Sequence, residues 1–134
     1  MADKILGMLG IMRKANAIAP GEENAASAVQ AGKARLLVIP NDVSEKKLDR
    51  AAKYLDGHSC AMVILPYNEN EISEAVGLGG CSMAAITDIG FAVSFAKKLS
   101  ENNSGYNQVY SELALKEEKI RERKMRKPGK IGKK

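Results

Sequence analysis

Pro20 and Gly21 open into Glu22, Glu23 and Asn24, with Ser27 one turn further along. A helix starting there presents unpaired backbone N–H groups and the positive end of its dipole. Such an end takes a phosphate or a base edge readily. Two carboxylates and an amide crowd that first turn and add hydrogen-bond acceptors and donors to it. The same carboxylates also stabilise a helix start with no ligand present, and a glycine is often there only to make the turn.

A second glycine-rich stretch reads Val76, Gly77, Leu78, Gly79, Gly80, Cys81, Ser82. It fails the dinucleotide pattern, because Ser82 stands where the third glycine belongs. It also lacks the Gly-Lys-Ser/Thr of a phosphate-binding loop. What remains is a loop of small residues that lets backbone and Leu78 approach a splayed base closely, or an ordinary connection. Arg35, after Gly-Lys-Ala, stands at the entrance of an apolar run.

Other reactive residue types are sparse. Cys60 and Cys81 make neither a Cys-x-x-Cys pair nor a disulfide framework, and there is one histidine, His58. No metal or cofactor site is expected. Cys60 falls on an expected buried strand, where thiols are inert, and Cys81 is expected to be more exposed. No nucleophile motif accompanies His58, so no enzymatic activity is expected.

The chain has 134 residues, enough for one domain with a tail, and 45% of them are hydrophobic. Aromatics are 4% and Trp is absent, so the core is aliphatic with methionine filler. The net charge of +5 hides a division. Residues 116–134 hold ten Lys and Arg against three Glu, while residues 1–115 hold eleven against thirteen acids. A slightly acidic body thus carries a strongly basic tail, the kind that contacts nucleic acid or stays solvated. The apolar stretch after Lys4 is followed by Arg13 and Lys14 before Ala-x-Ala, which is wrong for a secretory leader. No run approaches membrane-spanning length, so a cytoplasmic protein is expected.

Period and punctuation supply the elements that position these residues. Ile5, Met8, Leu9 and Met12 share a helical face over 3–15. A short extended segment follows over 16–19, and a second helix over 22–31. Apolar runs over 35–39, 60–65 and 83–87 read as buried strands. Ser44 caps a helix reaching residue 55. Asn68 and Glu71 have capping-box spacing for a helix ending at Gly77, and Asp88 caps another through residue 99. Alternating helices and continuously apolar strands predict an α/β/α layered domain with a largely parallel sheet. After a break over 102–105, Tyr106, Val109, Tyr110 and Leu113 mark a last amphipathic helix. Its stripe fades after Leu115, and Pro128 with its following glycines predicts a frayed end.

The order of these pieces resembles the kink-turn-binding ribosomal protein family, the L-seven-Ae and L-thirty-e group, most closely its small bacterial YlxQ-like branch. The matching text is ILGMLGIMRKANAIAPGEE, VQAGKARLLVIPNDVSEKK, NEISEAVG and MAAITDIGFA, covering residues 4–98. The resemblance implies a three-layer α/β/α sandwich with a mixed four-stranded sheet over residues 1–100, followed by a charged helix and basic tail over 101–134. It implies non-catalytic binding of structured RNA, ribosomal or kink-turn-containing, with ribosomal proteins as compatible partners and no role for a membrane. In the family one surface follows the pattern G-x-N-E-x-x-K and a second is the loop before the last strand. Here the pattern starts at Gly21 and runs through Glu22. Its Asn position holds Glu23, its Glu position Asn24, and its Lys position Ser27. Arg35 matches a basic position at a strand entrance, and the loop corresponds to residues 76–82. Swapping amide and carboxylate keeps the recognition of sheared purine pairs chemically available. Losing the cation at Ser27 weakens the electrostatic part of affinity. The alternative on the same fold is a protein-interaction module without specific RNA.

Overall fold

The computed structural model describes residues 3–133, with side chains described through Met125. The chain runs α1 (Lys4–Lys14), β1 (Ile18–Pro20), α2 (Glu22–Gln30), β2 (Leu36–Ile39), α3 (Glu45–Leu55), β3 (Ala61–Ile64), α4 (Glu69–Val76), β4 (Ala84–Ile86), α5 (Ile89–Asn102) and α6 (Asn107–Lys133), with a single 3-10 turn, Ser104–Tyr106, before α6.

Side-chain caps set most of the helix starts. Asp3 accepts from the backbone N–H groups of Ile5 and Leu6, and its other oxygen accepts from the Tyr67 hydroxyl at 2.7 Å. Ser44 accepts from Lys47 N, and Asp88 from Phe91 N. Asn68 and Glu71 close the expected capping box. Each such cap contributes about 1 kcal/mol.

The four strands lie in the order β1-β4-β2-β3. β2 and β3 are parallel, while β4 runs antiparallel to both β1 and β2. The sheet is therefore the mixed four-stranded one that the resemblance implies, not the largely parallel one predicted from alternation alone. Unbroken apolar runs report burial on both faces and carry no information about strand direction. The strands are shorter than their apolar runs, because Arg35, Cys60, Met83 and Thr87 lie outside the ladders.

Alternation along the strands divides the core in two. Leu36, Val38, Val63, Ala84 and Ile86 face α1, α4, α5 and α6, whose Leu9, Met12, Ile72, Phe95 and Leu113 fill that side. Leu37, Ile39 and Ala85 face α2 and α3, packing on Ala25, Val29 and Ala51. The result is a three-layer α/β/α arrangement.

The first half of α6 belongs to this body. Leu113 is buried against the larger core, and just before α6 the Tyr106 hydroxyl of the 3-10 turn donates to Ile64 O at 2.8 Å. The α6 backbone continues to Lys133, beyond the end expected at Pro128. Among the described residues, no helix is long and apolar enough to cross a membrane.

Candidate nucleic-acid interface

The strand register fixes which candidate residues meet. Pro20 and Val38 both flank Ala84, so Gly21 leaves the sheet at the end where β4 begins. Gly21 N donates to Met83 O at 2.9 Å, which ties the start of α2 to the chain emerging from the loop 76–82. A Cβ placed on Gly21 would sit 3.4 Å from Leu78 Cδ2. The helix start and the glycine loop are thus neighbours on one continuous surface.

Gly21 has φ +92° and ψ 153°, a conformation open essentially to glycine alone. As the N-cap it makes no side-chain hydrogen bond to the first turn of α2. Asn24 folds back instead, its Nδ2 donating to Pro20 O at 2.8 Å. Glu23, Asn24 and Ser27 are all exposed. Among the described residues, neither the Glu23 nor the Ser27 side chain makes a hydrogen bond or an ion pair, though Ser27 O accepts from Ala31 N at 2.9 Å.

Glu22 is arranged differently. Arg50 on α3 donates to it from Nε at 2.6 Å and from a terminal nitrogen at 3.0 Å, and the Tyr54 hydroxyl donates at 2.6 Å. The Arg50 and Tyr54 hydrogen bonds lower the Glu22 pKa to about 2. Its charge is matched within the protein, so Glu22 acts as a clamp between α2 and α3. Glu23 is then the carboxylate that faces outward from this turn. Arg50 and Tyr54 are four apart on α3, a spacing that places them on one face. That spacing is visible in sequence, but the partner they share is not.

Within the loop, Val76, Cys81 and Ser82 are buried and Leu78 is half-buried, leaving Gly77, Gly79 and Gly80 exposed. Gly77 closes α4 in the left-handed conformation. The Ser73 hydroxyl accepts from Cys81 N at 2.9 Å, tying the far end of the loop back to α4. Arg13 on α1 donates from Nε to Val76 O at 3.2 Å and places a cation where the loop begins. No motif in the sequence marks Arg13 for that position. Cys81 is fully buried, contrary to its expected exposure, because the Ser73 bond pulls it beneath the loop. Burial raises its pKa, and raises that of Cys60 to about 11, so both are thiols at neutral pH.

Arg35 is not part of this surface. Its N–H donates to Ile86 O, at the end of β4 remote from Gly21. There it lines a cleft with residues of α6. Among the described residues, no group of three or more His, Cys, Asp or Glu is placed to hold a metal ion.

No protein-family model matches the chain. Its fold is similar to that of a protein of unknown function from Bacillus halodurans, with 22% identity and a TM-score of 0.64, over 72% of this chain and 96% of the other. It is also similar to the Giardia lamblia 15.5 kD RNA-binding protein, with 16% identity and a TM-score of 0.53, over 87% of this chain and 89% of that one.

Proposed function

We propose that the protein binds structured RNA without catalysing a reaction, and that it recognises a sharply bent helix of the kink-turn kind, in the cytoplasm, on the ribosome or on another folded RNA. The observation that carries this reading is the close approach of Gly21 to Leu78. It joins the helix start and the glycine loop into one surface, as the resemblance to the kink-turn-binding ribosomal proteins requires. The fold shared with the Giardia RNA-binding protein supports the same reading.

The chemistry follows from the exposed groups. A kinked RNA splays bases and exposes edges that an A-form groove hides. Glu23 accepts from guanine N–H groups, and Asn24 offers its amide at the same turn. Gly79 and Gly80 bring bare backbone close to the bent strand, with Leu78 as the apolar contact. Binding shifts the RNA population toward its bent form.

The test measures affinity for a kink-turn RNA and for a straight duplex of equal length across a salt series. The expected result is a preference for the kinked RNA that persists at moderate salt. Equal affinities that vanish together as salt rises would contradict the reading, since that is the signature of charge alone.

A second reading, a protein-interaction module, draws on Ser27 and the acidic body. Both reduce attraction to phosphate, and the same titration separates the two.

A further inference from the structure

At the end of the sheet remote from Gly21, α6 crosses the entrances of β2 and β3 and leaves a cleft of about 540 Å³. Among the described residues four cations line it: Arg35 from the β2 entrance, and Lys116, Lys119 and Arg123 from successive turns of α6. Among the described residues, Ser59 and Glu112 add the other polar groups of its wall. Like charges converging on one concavity repel unless an anion joins them.

Two details show how the groups are held. Arg35 Nε is buried and, among the described residues, has no hydrogen-bond partner. An unsatisfied buried donor is costly, and most so on a charged group. Lys116 is tethered, its Nζ donating to Ser59 O at 2.5 Å and to Ser59 Oγ at 2.7 Å. Burial lowers the Lys116 pKa, and repulsion by Arg35 and Arg123 lowers it further. A bound anion would reverse the repulsive part.

We propose that this cleft is a binding site for a phosphate group, with Arg35 Nε and Lys116 as its inner donors and Lys119 and Arg123 as its outer cations. A guanidinium presents several donors to phosphate oxygens in a fixed fork, and lysines add mobile point charges. The phosphate belongs either to an RNA backbone or to a free nucleotide. The site stands on its own geometry, whether or not the Gly21 surface reads RNA.

The test follows the Arg35 Nε–H resonance by nuclear magnetic resonance while the full chain is titrated with inorganic phosphate, adenosine 5′-monophosphate or adenosine. The resonance should move saturably at low-millimolar phosphate and monophosphate, and stay fixed with adenosine. Lys116→Gln should weaken binding roughly tenfold, as expected for removal of one charge-assisted hydrogen bond. The exposed pair Lys119→Gln, Arg123→Gln leaves the packed body untouched and should weaken it similarly. A straight RNA duplex that displaces the monophosphate identifies the backbone as the source; a duplex that does not identifies a free nucleotide. A resonance that ignores phosphate and monophosphate overturns the site, as does binding unchanged in both variants. Neither result bears on the kinked-RNA preference, which is measured separately.

Discussion

At the scale of single residues, two neighbours on one helical turn have different roles. Glu22 is consumed by Arg50 and Tyr54, while Glu23 faces solvent. The Glu22 pKa lies below its ordinary value of 4.5, at about 2. Between those values the unfolded chain binds the proton more readily, so stability rises with pH across that window. The contribution is present above about pH 4.5 and is lost as pH falls through about 2. Glu22→Gln should therefore flatten the acid limb of a denaturation profile. It should cost about 1 kcal/mol at neutral pH, because half-exposed Arg50 is screened by solvent. Gly21→Ala tests a different property of the turn. A side chain forced into that backbone conformation costs about 1–3 kcal/mol, read as a lowered urea midpoint. The shared helix start of Gly21, Glu23 and Asn24 is legible from local periodicity and a turn signal. The Glu22 clamp is not, because it exists only once α3 folds over α2.

At the scale of elements, sequence is most informative where caps and periods are local. Asn68 with Glu71, Ser44 and Asp88 each cap the helix they were expected to cap. Strand direction is not legible, since β4 carries the same apolar run whether it lies parallel or antiparallel. The burial of Cys81 is hidden too, because the bond from its N–H to Ser73 spans the whole loop. The last helix shows how a composition boundary can differ from a packing boundary. Charge changes near Lys116, yet Leu113 is buried in the main core and Lys116 reaches Ser59. Leu113→Ala should therefore destabilise the entire protein by about 2–5 kcal/mol in chemical denaturation. An appended helix would leave the midpoint where it was.

At the scale of the molecule, the two ends of the sheet carry different groups. One carries Gly21 and the glycine loop; the other carries Arg35 and the cations of α6. Arg35, the basic residue at the β2 entrance, is placed by the β2 register at the end opposite Gly21. The basic tail should supply affinity without selectivity. Ending the chain after Met125 removes five Lys and Arg. It should flatten the dependence of log affinity on log salt, by up to about 0.9 for each duplex phosphate that is no longer neutralised, and leave the preference for kinked RNA intact. The most direct measurement of the central claim is the ratio of affinities for kinked and straight RNA, in the native chain and in the Glu23→Ala, Asn24→Ala double variant. The native ratio should be at least about tenfold, or about 1.4 kcal/mol, and should collapse toward unity in the variant. A native ratio near unity, or one that survives both substitutions, would contradict a surface built from the α2 start and the loop beside it.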